Sequence, residues 1–428
     1  MSLTLSGSTG ITTSGASSSG GGDVSTNTAL GGDALAANTT GANNVAVGYQ
    51  ALDVNTTGQF NTATGVDALG ANTTANYNTA NGYRSLFTNT TGSQNTAYGV
   101  WSMYLNTTGS NNTAIGMYAM NSNTTGANNV AVGLSALESN TTGADNTAIG
   151  YAALDANTTG FANNAVGFGA LGANTTGTDN CAFGKEALRV NTTAVTNSAF
   201  GNYTLYSNTT GANNTAIGYD ALAGNTTGTK NSAVGNGALT KCTTGSYNSG
   251  FGEAALNDLT TGSGNVQIGA RNSSGTYAPV FNVNTENNRL VAGSTGVTNA
   301  YVQVAWTVVS DARDKTNIQS VPHGLSFVNQ LNPVSFQFKM SREDETPNGN
   351  KRYGFLAQDI LALEGDDPVI IDTEVPEKLK YQGEALVPVL VNAIKDLKAI
   401  NDAQATRIET LEAQNAAFET RLAALENK

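Results

Sequence analysis

The chain has 428 residues, 32 acidic and 20 basic, for a net charge of −12. That balance leaves no basic patch for nucleic acid or an anionic membrane, and no apolar run approaches the ~18 residues that span a bilayer. Cys181 and Cys242 fall at different offsets of an internal repeat, so neither a disulfide pair nor a metal clip is expected, and no cofactor or metal is implied.

From the N-terminus, residues 1–20 are uncharged, with neither the basic nor the apolar region of a secretory signal. Synthesis in a reducing compartment fits. From about Gly21 a repeat takes over. Asn-Thr-Thr-Gly recurs at Asn38, Asn55, Asn89, Asn106, Asn123, Asn140, Asn157, Asn174, Asn208 and Asn225, with variants at Asn72, Asn191, Cys242 and Leu259 in the same register. The period is 17 without insertion, giving fourteen units from residue 38 and a weaker one before them. The unit reads N-T-T-G-x-x-N-T-A-Φ-G-x-x-A-L-x-x, with Φ apolar. Its seventh position is always Asn and its eleventh always Gly, from Asn44 and Gly48 to Asn265 and Gly269.

A fixed period without indels means that each unit is one rung of a stack. Recurrent Gly, Asn and Thr oppose helix, and N-T-A-Φ-G is a short strand bounded by turn residues. Asn and Gly at fixed offsets suit corners that need φ > 0 or side-chain-to-backbone bonds. The expected fold is therefore mainly β: a β-solenoid shaft over residues 21–270, roughly 70 Å long at ~4.8 Å per coil. Neither face of the strand looks solvated. The tenth position is bulky at Val47, Ile115, Phe183 and Phe200, while the ninth and eleventh are Ala and Gly. Burial on both faces predicts a solenoid core on one side and a subunit interface on the other.

The segments Asn112-Thr113-Ala114-Ile115-Gly116 and Asn146-Thr147-Ala148-Ile149-Gly150 resemble the left-handed β-roll heads of trimeric autotransporter adhesins. The repeat here is longer, which predicts one longer loop per coil, and the C-terminal membrane barrel of those adhesins has no counterpart. The Asn-Thr-Thr triplets match the N-glycosylation pattern, but the repeat itself accounts for them, and stacking accounts for the rows of Thr. Trp101, Tyr104 and Tyr118 fall where the repeat loosens and form a candidate receptor patch.

The period stops at Arg271. Thr276–Val283, Arg289–Ala292 and Tyr301–Val309 read as strands of a β neck spanning residues 271–309. Charge density then rises: residues 1–309 hold 13 acidic and 7 basic side chains, residues 310–428 hold 19 and 13.

The second region opens with Ser310-Asp311-Ala312-Arg313-Asp314-Lys315. Leu331-Asn332-Pro333-Val334-Ser335-Phe336 and Tyr353-Gly354-Phe355-Leu356-Ala357-Gln358-Asp359 follow. A serine hydroxyl becomes nucleophilic when a nearby amine takes its proton, although S-x-x-x-x-K alone equally describes a solvated turn. The combined series resembles the endosialidase-type intramolecular chaperone domain of phage tail fibres and tailspikes, over residues 310–428. Leu3 to Ile11 is similar to the starts of many phage fibres, which implies a virion-attachment segment at residues 1–20. The resemblance implies that the domain trimerises the chain and then cuts itself off between Val309 and Ser310. Ser310 would be the nucleophile and Lys315 its base, with Asp311, Arg313, Gly354 and Gln358 supporting the motif. Asp314 beside Lys315 opposes base function by keeping the amine charged. His323, between Pro322 and Gly324, reads as a turn residue.

From about residue 386 the chain has heptads. Val387, Ile394, Asn401, Ile408, Asn415 and Leu422 occupy a; Leu390, Leu397, Gln404, Leu411, Phe418 and Leu425 occupy d. This predicts a coiled coil closing an α+β domain, with Pro388 tolerable only near the helix start.

The function expected is that of a homotrimeric phage tail fibre in the virion. It would attach to tail or baseplate proteins through its N-terminus and meet a host-surface receptor, with a glycan as one candidate. Its only enzymatic activity would be serine-type autoproteolysis, without turnover of an external substrate. The alternatives are a tailspike glycan hydrolase or depolymerase and a bacterial surface adhesin. The hydrolase is disfavoured because the nine Asp and four Glu before Ser310 form no close pair in sequence.

Overall fold

A computed structural model of the chain describes residues 26–428 apart from 273, 296, 298–311, 340–344, 374, 375, 377, 378, 427 and 428. The chain divides into two units, Met1–Val297 and Thr298–Lys428. Residues 1–20 and the strand expected at Tyr301–Val309 lie outside the described residues.

The first unit is the expected solenoid. Each coil contributes one three-residue strand, from β1 (Thr28–Leu30) and β2 (Val45–Val47) at 17-residue intervals to β15 (Val266–Ile268). All pair in parallel and in register, as in Ala46↔Ala63 and Ala182↔Ala199. The middle residue of each rung points inward, and Ala46 to Ala233 at the ninth position are fully buried. Against them packs a column of Leu and Met at the fifteenth position, Leu52 to Leu239, without solvent exposure. The outer face is open in the single chain: Ile115, Phe200 and Ile217 at the tenth position are 40%, 41% and 43% exposed.

The corners use both devices expected from the sequence, φ > 0 at Gly and side-chain-to-backbone bonds at Asn. Gly at the eleventh position does adopt positive φ, at 138° for Gly48. A Cβ there would lie 2.3 Å from the Gly65 carbonyl oxygen of the next coil, so no other residue fits. The invariant Asn residues do not take the left-handed conformation. Positions six, thirteen and fifteen take it instead, as at Asn43 (59°), Gln50 (54°) and Leu52 (52°). A left-handed leucine costs ~1–2 kcal/mol; burying its side chain returns roughly 1.5–3 kcal/mol, which offsets the strain.

The Asn residues form two buried ladders. At the first position Asn55 Nδ2 donates to Asn38 Oδ1 of the preceding coil (3.0 Å) and to Gly58 O of its own (3.1 Å). At the seventh position the Asn61 amide donates to Asn44 Oδ1 (2.9 Å), and its Nδ2 donates to Ala75 O of the next coil (2.9 Å). These bonds satisfy polar groups that would be costly to bury alone. Thr at the second position adds a third column, with Thr107 Oγ1 donating to Thr124 O (3.0 Å). The rows of Thr in the Asn-Thr-Thr triplets thus have a stacking role.

The shaft runs one coil past residue 270. β16 (Leu290–Ala292) pairs with β15 through Val266↔Leu290, and the step there is 24 residues. The Arg289 amide closes the inner ladder on Asn265 Oδ1 (2.9 Å). The strand expected at Thr276–Val283 is reduced to single bridges, Arg271↔Tyr277 and Pro279↔Ser294, because Pro279 has no N–H to extend a ladder.

The second unit is α+β. Helix α1 (Leu325–Val328) precedes the hairpin β17 (Val334–Lys339) and β18 (Pro347–Gly354). Helix α2 (Ala357–Glu364), the pair β19 (Ile371–Asp372) and β20 (Lys380–Tyr381), and the 44-residue helix α3 (Gly383–Glu426) follow. The core joins Phe327, Ile360, Ile370, Ile371, Leu386 and Val389. Glu364 fixes the loop after α2 by accepting the amides of Val369 (2.8 Å), Ile370 (2.6 Å) and Ile371 (3.0 Å). Pro388 sits in the second turn of α3, where few carbonyls lose a partner. One face of α3, Leu386, Val389 and Ala393, is buried. The a and d residues Ile394, Leu397, Ile408, Leu411 and Phe418 stay 46–67% exposed.

Candidate self-cleavage segment and aromatic surface

Val309, Ser310 and Asp311 lie outside the described residues, as does the side chain of Asp314. The other motif residues are placed. Ala312–Asp314 is a single 3-10 turn, followed by Lys315, whose amide donates to Ala312 O (3.3 Å). The side chains of Arg313 and Lys315 are both exposed. Gly354 ends β18 opposite Val334, and a Cβ on it would sit 3.0 Å from Phe336 Cε1. The glycine of the G-F-x-A-Q series is therefore where the Phe336 ring lies against the neighbouring strand. Phe355 and Ala357 pack on the core, while Gln358 is exposed on the first turn of α2. His323 stacks on Phe327 (4.4 Å) and its carbonyl accepts from Asn392 Nδ2 (3.2 Å), a structural turn role.

The shaft carries its own chemistry on the flank formed by positions thirteen and sixteen. Trp101 and Tyr118 approach at 5.2 Å, Tyr83 joins Trp101 at 6.1 Å, and Tyr104 stacks on Phe87 at 5.6 Å. The three aromatics singled out in the sequence thus share one side of neighbouring coils. Arg84 lies over Tyr83 and Phe87 and pairs with Asp67 (3.0 Å) beside a ≈ 420 Å³ groove.

Further along the same flank, sequence reasoning missed a second cluster. Tyr203, Tyr206 and Tyr219 line an open groove of ≈ 490 Å³ with Glu186 and Asp220. These two carboxylates are 34 residues apart, which is two coils, at the same position of the unit. The signal was in the period: residues separated by multiples of 17 are neighbours along the shaft. Burial pushes the Asp220 carboxyl up from its ordinary value.

Neither cysteine is poised for nucleophilic chemistry. Burial raises the Cys181 thiol and pushes that of Cys242 up to about 11. Among the described residues no cluster of His, Cys, Asp and Glu could hold a metal, and no helix is long and apolar enough to cross a membrane.

Compared with known families, residues 310–367 match the chaperone of endosialidase. The chain therefore carries that domain C-terminal to its solenoid, the build of a fibre- or tailspike-type protein with a terminal chaperone. The match begins at Ser310, the residue that opens the second region by charge density. No curated protein and no solved structure shows significant similarity to the chain.

Proposed function

We propose that this protein is a phage tail fibre, part of the virion, whose chaperone assembles three chains and is then released by self-cleavage. The observation that carries the reading is the order of parts: a solenoid of stacked 17-residue coils, then a chaperone-of-endosialidase match starting at Ser310. Two exposed apolar surfaces support assembly from several copies. One is the stripe of tenth-position residues on the shaft; the other is the a/d seam of α3. Soluble chains rarely leave long apolar stripes uncovered. Ile at a with Leu at d favours two strands in parallel coils, so three chains rest on the chaperone family. The N-terminal segment would attach to the tail, and the shaft would meet a host-surface receptor.

In the cleavage step the Ser310 Oγ attacks the Val309 carbonyl carbon while Lys315 takes the hydroxyl proton. The Val309–Ser310 C–N bond breaks as the Ser310 nitrogen gains a proton, and water hydrolyses the resulting ester. Sedimentation of the folded protein tests the assembly: three chains per particle are expected, and a monomer contradicts the reading. Adsorption of the purified fibre to bacterial cells tests receptor binding.

A glycan-hydrolase reading draws on Glu186 and Asp220 facing one groove. At ~4.8 Å per coil their backbones are roughly 10 Å apart. That is at or beyond the ~6.5–9.5 Å of inverting glycosidases and far from the ~5 Å of retaining ones. Binding is therefore favoured over hydrolysis.

A further inference from the structure

We infer that the groove formed by Tyr203, Tyr206 and Tyr219, with Glu186, Ser207 and Asp220, binds an uncharged oligosaccharide. This rests on the receptor-binding reading and names the site and the ligand class for it.

The argument starts from how rings stack along a solenoid. Where consecutive coils carry an aromatic at one position, four pairs of rings lie nearly parallel, while Trp101 and Tyr118 are tilted by 41°. Phe60 and Tyr77 lie 1° from parallel, Phe87 and Tyr104 7°, Phe183 and Phe200 8°, and Tyr151 and Phe168 11°. Their faces are consumed within the ladder, so they stabilise the shaft. The tyrosines of the groove stand at three different positions of the unit and form no such column; they are splayed. Tyr203 meets Tyr206 at 57° (6.2 Å) and Tyr219 at 79° (5.8 Å). Splayed rings do not cover one another's faces; Lys185 covers one face of Tyr203, 5.2 Å from its centroid.

Around those rings stand two carboxylates and two hydroxyl-bearing side chains, Ser207 and Thr240. The rest of the lining is Ala223 and Gly224, so the groove offers no aliphatic pocket for the apolar anchor of a peptide. A sugar has what this surface lacks: C–H faces for the rings and many hydroxyls that donate to carboxylates and exchange bonds with Ser and Thr. The two carboxylates outnumber the single ammonium of Lys185, and the chain is itself acidic. A polyanionic glycan would be repelled.

The other groove on this flank shows the contrast. There Arg84 is paired with Asp67 and lies over Phe87, whose ring is already stacked on Tyr104. Its Arg84, Asp67 and Phe87 side chains are thus engaged within the shaft.

The test is full-length protein on an array of neutral and of sialylated or uronic-acid oligosaccharides, with the strongest neutral hit titrated calorimetrically. Neutral oligosaccharides are expected to bind. Tyr206→Ala and Tyr219→Ala should each weaken the affinity at least tenfold, and Glu186→Gln severalfold. Tyr247→Ala, an exposed tyrosine at a different position of the coil, should leave it unchanged. Circular dichroism melts identify any variant that fails to fold, in which case Glu186→Gln decides. Binding that survives these substitutions, retention of acidic glycans alone, or no retention at all overturns the inference. Adsorption to cells without any glycan binding would overturn it while leaving the receptor reading intact; absence of adsorption to cells would remove the receptor reading itself.

Discussion

The side-chain oxygen of Asn225 meets Cys242 where every earlier coil from Asn38 on supplies the Nδ2 of another Asn. Among the described residues no group donates to it, although it is fully buried. The first-position ladder ends in this one unsatisfied acceptor, and its end is set by Cys242, followed by Leu259.

Moving that end and breaking the ladder are different operations. Cys242→Asn supplies a donor to Asn225 but leaves its own oxygen facing Leu259, so the change in stability should stay within ~1 kcal/mol. Asn140→Ala, in mid-ladder, leaves Asn123 Oδ1 without its donor and one N–H of Asn157 Nδ2 without its acceptor, while Gly143 O keeps the Nδ2 of Asn129 (2.9 Å). At roughly 1–3 kcal/mol per unsatisfied buried group, it should cost about 3 kcal/mol or more. Denaturant midpoints check the pair, and equal shifts would count against the ladder as a source of stability.

Two glycine columns should respond unequally to Ala. At Gly116 the backbone has φ 135° and a Cβ would stand 2.4 Å from Gly133 O. Gly116→Ala should destabilise by about 3 kcal/mol. The fourth position looks as crowded, with 2.4 Å at Gly109, yet Ala75 and Ala194 already occupy it. The bonds there have lengthened: Asn72 Nδ2 to Ala75 O is 3.2 Å and Asn191 Nδ2 to Ala194 O is 3.3 Å, against 2.9 Å for Asn140 to Gly143. Gly109→Ala should therefore cost only ~1 kcal/mol. Thermal or denaturant unfolding distinguishes the two.

Burial raises the carboxyls of Asp53 and Asp155, and Asp155 Oδ1 is buried without a hydrogen-bond partner. Arg189 pulls the Asp155 value down and Glu138 adds to the rise. A carboxyl raised in the folded state is a penalty that is complete above its folded value and fades as pH falls toward the unfolded value of 3.8. Asp155→Asn should raise the melting temperature at pH 7, with the gain shrinking as the pH is lowered toward 4. A gain that grows on acidification would contradict the assignment.

The outer stripe gives a test of assembly. Ile217→Asp places a charge on a surface that the single chain leaves open, so it should leave the solenoid folded but weaken association. Ile408→Asp in the helix seam should act on assembly in the same way, through the chaperone domain. Native mass spectrometry reads both; unchanged stoichiometry in both variants would show that these faces are not where copies meet.

The coil, its period and its buried Ala were legible because a 17-residue repeat fixes which residues stack. The long terminal helix was legible in its heptads. The left-handed Leu column was not, because intrinsic preference opposes it and only the stacked core favours it. Nor were the 24-residue last coil, which breaks the period, and the groove at Tyr203, whose carboxylates are adjacent only after coiling. Ser310 was found through the residues downstream of it, since S-x-x-x-x-K has no meaning alone.

The most direct measurement is the intact mass of the protein after folding, beside a Ser310→Ala variant. The account predicts two fragments from the native sequence, one ending at Val309 and one beginning at Ser310, and a single full-length species from the variant. An uncut native chain, indistinguishable from Ser310→Ala, would contradict it.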